Sequence, residues 1–290
     1  MLTLITYEFK NRKKNFLFIL FSAIWLLLIF LLFRLFASFT TQIAQYINSQ
    51  SWIQTLLGIT EQIEFINYET AITTAAIPLV IAMFYHTIVS TANSIISEET
   101  QGTLIYFINL PISKNKLLIS KIIVCFLELL IHQTILNILI WKLSSYGAIE
   151  HEFFQLVLKE NLTARITAFS LASFISFTIG ILYGCTSRKK RAAYFTCNIL
   201  FFSILFSIIP NIFKTIQLIL TENNYNVTIL TKPIQSLMNI RKFLPTYWSY
   251  PFAAPVLQLS GKNIIMCLFT TLTVVILCTL FYNKKNYKFI

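Results

Sequence analysis

Ser97-Glu98-Glu99-Thr100-Gln101-Gly102-Thr103-Leu104-Ile105-Tyr106-Phe107-Ile108-Asn109-Leu110-Pro111-Ile112-Ser113-Lys114-Asn115-Lys116-Leu117-Leu118-Ile119-Ser120-Lys121 separates two long apolar runs. Hydrocarbon cannot house a stretch this polar, so the chain must leave the membrane here, on the side that its lysines select. A helix start capped by Ser97 or Thr100 is favoured by Glu98 and Glu99 near its positive end. Gly102 allows a close approach or a bend, and Leu104, Ile105, Phe107 and Ile108 supply an apolar face. Pro111 ends the element before the chain turns back. A compact elbow of this kind, between two spans, suits the docking of a cytosolic partner.

The rest of the chain fits that reading. Of 290 residues 56% are hydrophobic and 12% charged, against roughly a quarter charged in soluble domains. A span needs about 20 apolar residues. Six stretches qualify, at about 16–36, 71–96, 122–141, 164–186, 192–213 and 263–283. Tyr68, Trp141, Trp248 and Tyr282 sit near their ends, where interfacial aromatics collect. The expectation is an all-α membrane protein forming one transmembrane domain over 1–290.

Orientation follows from the basic residues. Lys10, Arg12, Lys13, Lys14, Lys114, Lys116, Lys121, Arg188 to Arg191, Lys284, Lys285 and Lys288 all fall on one side, against the acids Glu8, Glu98 and Glu99. No Lys or Arg occurs from Ala37 to Thr70 on the other side. The positive-inside rule therefore puts both termini in the cytosol. It also accounts for the net charge of +12 without a nucleic-acid partner, and the basic ends suit anionic headgroups. Residues 1–15 carry Leu2, Ile5 and Phe9 at helical spacing, with Glu8, Arg12 and Lys13 on other faces, as in a helix lying in the interface. The outer loop at 214–262 is the longest and least regular. Its prolines and aromatics between Phe243 and Pro255 preclude a straight helix. The five cysteines show no paired spacing and read as small apolar packing residues.

Order and spacing in the elbow now point to a family. Glu98-Glu99-Thr100-Gln101-Gly102-Thr103-Leu104, then Leu110-Pro111-Ile112-Ser113-Lys114, between the second and third of six spans, resembles the permease subunits of ABC-2 type transporters. That resemblance implies a type V ABC exporter-like permease fold in the plasma membrane, with an N-terminal interfacial helix. It implies that the elbow at 97–121 holds a coupling helix for a cytosolic ABC ATPase. Glu98, Glu99, Gly102, Thr103, Leu104, Pro111 and Lys114 would form that contact. It further implies two ATPases and a second permease subunit, identical or related. This chain has no Gly-x-x-x-x-Gly-Lys-(Ser/Thr) loop, so ATP and Mg would be held by the partner and no cofactor by this chain. The 27 phenylalanines and few intramembrane charges favour an apolar or amphipathic cargo, such as a peptide or bacteriocin, a drug or a lipid-like molecule.

Inside the membrane, Glu128 and His132 stand one turn apart in the third span. A carboxylate at that depth is expensive and marks a candidate site. It is either a proton-coupled or substrate-contacting pair, or a Glu–His pair tying two helices together. The first option defines an alternative function, an ion-gradient-driven secondary transporter. A metal site built from Cys125, Glu128 and His132 lacks a further ligand cluster, and His86 in the second span reads as a lone helix–helix hydrogen-bonding residue.

Overall fold

The computed structural model describes residues 2–12, 15–35, 40–52, 68–101, 113–146, 152–187, 191–223, 228–241 and 261–284. Among these residues the secondary structure is helical, with no strand. The helices are α1 (Leu2–Asn11), α2 (Phe16–Leu35), α3 (Thr40–Ser49), α4 (Tyr68–Gln101), α5 (Lys114–Tyr146), α6 (Glu152–Thr186), α7 (Ala192–Glu222), α8 (Thr228–Arg241) and α9 (Gly261–Lys284). Within α4, α5 and α6, the stretches Pro78–Ser97, Asn115–Ser145 and Phe169–Thr186 are long and apolar enough to cross a membrane. Shorter apolar stretches lie in α2, α7 and α9.

Several helices extend beyond the apolar runs from which they were expected. The helix of the second run continues to Gln101, and that of the third begins at Lys114. Much of the elbow is thus the ends of two long helices. Backbone hydrogen bonding keeps a helix going after its side chains turn polar. The region at 214–262 is also more regular than its sequence promised, because α7 runs to Glu222 and α8 follows. The stretch from Phe243 to Pro255 lies outside the described residues.

The strongest packing is between α4 and α6, and α6 also packs on α9 and α5. Lipid offers no hydrophobic drive for one helix to leave it for another, so close backbone approach and hydrogen bonds must supply the attraction. Both are present. A Cβ on Gly180 would lie 2.9 Å from Thr91 Cβ and 3.1 Å from the Ile88 carbonyl oxygen. One on Gly184 would lie 2.9 Å from Ile95 and 3.3 Å from Ala92 Cα. The Gly-x-x-x-Gly spacing thus faces the small and β-branched side of α4, with room for hydrogen atoms alone.

Polar side chains stitch the remaining seams. On the α5–α6 side, Ser173 Oγ donates to Gln133 Oε1 at 2.6 Å, and Gln133 Nε2 donates to Asn137 Oδ1 at 2.8 Å and Ser170 Oγ at 3.3 Å. Thr178 of α6 bonds Thr271 of α9 at 2.9 Å. Cys125, Cys185 and Cys278 are buried, in keeping with a packing role, whereas Cys197 is exposed. The outer face of α2 (Leu17, Phe21, Ile24, Leu28, Leu31) is exposed and apolar, while Leu26 and Phe30 turn into the core. Gly180→Ala is expected to cost about 1–3 kcal/mol by overpacking the α4–α6 seam, and Gly180→Val more. Thermal unfolding of the detergent-solubilised protein would measure both, and an unchanged midpoint for Gly180→Val would refute the close contact.

Candidate functional site

Helix α1, expected to lie in the interface, is docked on α5. Its Glu8 is buried, and the carboxylate lies 3.8 Å from Lys121 Nζ of α5. Lys121 is 1% exposed and donates to the Ser94 carbonyl oxygen of α4 at 2.5 Å. One turn along, just past the end of α1, Arg12 reaches Glu128 of α5, with Nη1 to Oε2 at 2.6 Å. The same guanidinium donates from Nη2 to the Ser90 carbonyl oxygen at 3.1 Å and from Nη1 to Ser90 Oγ at 3.4 Å. Asn15 adds a bond from Nδ2 to Ser90 Oγ at 3.0 Å. The residue pairs 8–121 and 12–128 ascend together, so α1 and the start of α5 run in the same sense.

Two basic residues that the sequence assigns to watery flanks are therefore packed into protein: Lys121 is buried, and the Arg12 side chain is 10% exposed. Lys121 lies seven residues before Glu128, about 10 Å at helical rise. Burial alone would lower the pKa of Arg12, but the charge and hydrogen bond of Glu128 oppose it, and the pKa is held above its ordinary value. The guanidinium stays charged. The carboxylate of Glu128 has a fixed counter-ion from another helix, where the sequence offered His132 as its partner.

His86 is not alone either. Its ring stacks on Phe18 of α2, with centroids 4.8 Å apart and planes 2° from parallel. It lies 5.8 Å from the His132 ring. His86, Glu128 and His132 each bring a ligand-type atom within 4.8 Å of the other two. His132 hydrogen-bonds the backbone of Asn15. The third group near Glu128 and His132 thus comes from α4 and not from Cys125 of their own helix. One-dimensional spacing could not show this, because 42 positions separate His86 from Glu128. Arg12, Asn15 and Ser90 were equally hidden, although an Arg and a lone intramembrane Glu in one chain are a pairing signal.

Of the elbow residues, Glu98 and Glu99 fall in the last turn of α4 and Lys114 opens α5, with their side chains outside the description. Gly102, Thr103, Leu104 and Pro111 lie outside the described residues. Helices α4 and α5, which carry this elbow, are tied together at its base by the Lys121–Ser94 bond.

Removing one member of a buried ion pair strands the other charge, at a cost of about 3–5 kcal/mol. Arg12→Met is expected to destabilise the protein by that amount. Arg12→Met with Glu128→Gln is expected to recover most of the loss, because no uncompensated charge remains. Thermal unfolding of the single and double variants checks both. Equal destabilisation in the double variant would mean that Arg12 acts through packing alone.

No curated protein matches the sequence. The family of ABC-2 family transporter proteins matches over residues 2–287, which takes in every helix from α1 to α9. With helices apolar enough to span a bilayer and a match along nearly its whole length, this chain belongs to the ABC-2 transporter family, as a membrane permease subunit and not the ATPase.

Proposed function

We propose that the chain is the membrane half of an ATP-driven exporter in the plasma membrane, crossing it six times with both termini in the cytosol. Two cytosolic ATPases bind ATP and Mg and engage the elbow through Glu98, Glu99, Gly102, Thr103, Leu104, Pro111 and Lys114. A second permease, identical or related, completes the pathway. The family match over 2–287 is the observation that carries this reading. The exposed apolar face of α2 suits contact with lipid or with that second subunit. The cargo is apolar or amphipathic, in keeping with the scarcity of charge in the spans.

The helices around the elbow give the coupling a mechanical basis. Lys121 bonds Ser94, and Arg12 bonds Ser90 and Glu128, so α1, α4 and α5 are joined by directional contacts near the elbow. A force on the elbow acts on three helices at once. ATP binding in the partner, by favouring one elbow position, would bias the whole bundle between inward- and outward-facing states. A proton relay through Glu128 and His132 is the competing reading, and the cluster with His86 is what favours it. The Arg12 contact weighs against it, because the guanidinium already occupies Glu128 Oε2 at 2.6 Å.

Co-purification with the cognate ATPase tests the proposal. The wild-type chain is expected to hold the ATPase and stimulate it. Gly102→Trp, and Glu98→Ala with Glu99→Ala, are expected to cut that stimulation at least tenfold while the spans stay folded. Failure of any ATPase to associate, with transport following a proton gradient and requiring Glu128, would overturn the proposal in favour of the relay.

A further inference from the structure

Two imidazoles and a carboxylate converge where α2, α4 and α5 meet. His86 comes from α4, and Glu128 and His132 from α5, with their ligand-type atoms within 4.8 Å of one another. Glu128 and His132 are both buried. This donor set, two neutral nitrogens and one anionic oxygen, suits zinc and the other late first-row divalent ions better than magnesium or calcium. The two imidazoles are also held in place from outside, since the Asn15 backbone bonds His132 and Phe18 stacks on the His86 ring, while Arg12 occupies Glu128 Oε2. A small cavity lined by Phe18, Ser22, Met83 and His132 adjoins the cluster on its His132 side.

We infer that His86, Glu128 and His132 form a binding site for a late first-row divalent cation, in competition with Arg12. Bonds of about 2.0–2.2 Å to the metal place tetrahedral donors about 3.4 Å apart, so the three side chains close by rotating inward. Arg12 sets the opposing term. Glu128 carries one negative charge, and a guanidinium and a dication beside it in a dry site exceed what it can balance. The ion therefore gains affinity when Arg12 retreats, and metal binding loosens the tie between α1 and α5. The inference stands on the cluster's geometry and does not depend on how transport is powered.

The test uses the full chain in detergent, purified through a tag without histidine, with Co²⁺ as a visible-absorption probe and Zn²⁺ as competitor. The wild type is expected to bind one Co²⁺ per chain, displaced by Zn²⁺. His86→Phe keeps a ring against Phe18 but removes the nitrogen, and it is expected to weaken binding at least tenfold. Glu128→Gln is expected to do the same. Arg12→Gln is expected to strengthen binding at least tenfold, the opposite of what general damage to the fold would produce. Zn²⁺ should also raise the thermal midpoint of the wild type but not that of His86→Phe. Lack of saturable binding in both wild type and Arg12→Gln would overturn the inference. So would undiminished binding in His86→Phe combined with His132→Ala, which would mark an adventitious ion only.

Discussion

The packing of the Arg12 guanidinium between α4 and α5, with the side chain 10% exposed, is the constraint on which the arrangement of α1, α4 and α5 depends. A guanidinium taken out of water must find an anion and satisfy its remaining N–H groups, or the cost runs to several kcal/mol. Glu128 supplies the anion from α5, and Ser90 supplies a carbonyl and a hydroxyl from α4. The charge on α1 can thus be met only while α4 and α5 stand side by side at this depth. A second cation, Lys121, repeats the requirement nearer the elbow with Glu8 and the Ser94 carbonyl. Each pair is a poor source of net stability but a strict test of geometry. The two together fix the direction of α1 and its register against α5.

The other half of the bundle is held by a different physics. Between α4 and α6 there is little charge, and the attraction comes from backbones brought together at Gly180 and Gly184. Between α5 and α6, amides and hydroxyls link Gln133, Asn137, Ser170 and Ser173. Neither mechanism draws on the hydrophobic effect, which distinguishes helix from water but not helix from lipid. The exposed leucines and phenylalanines of α2 and α9 are accordingly outward-facing and not misplaced core.

How much of this the sequence disclosed depends on whether the signal was local. Apolar runs long enough for helices are local, and each of the six expected stretches lies within or nearly matches an observed helix. The N-terminal stripe of Leu2, Ile5 and Phe9 likewise foretold a helix at Leu2–Asn11. Its docking did not follow, because the residue that turns fully inward is Glu8, on the polar face, where periodicity arguments look for water. Charge counting was blind in the same way. It treated Arg12 and Lys121 as topology markers, and it had no means of pairing them with acids on other helices. Glu128 and His132 were visible as a candidate pair because they share a face of one helix. His86 joins them only through the packing of α4 on α5. Gly180 and Gly184 were four apart on the page, yet which helix they face is a tertiary fact.

These two kinds of seam also bear on how a displacement at the elbow would spread. Helix α4 is continuous from Tyr68 to Gln101, so the segment that bonds Arg12 and Lys121 and the segment that meets Gly180 and Gly184 are the same rigid rod. On its α1–α5 side, hydrogen bonds to charged groups oppose sliding, because any shift exposes an unpaired charge in a dry site. On its α6 side the contact is close packing of Gly180 and Gly184 against Ile88, Thr91 and Ile95, with no charged group in it. A push on the elbow therefore carries α1, α4 and α5 as one body. Along α6 such a push would meet the glycine contacts and the Gln133–Ser173 hydrogen bond and, among the described residues, no ion pair.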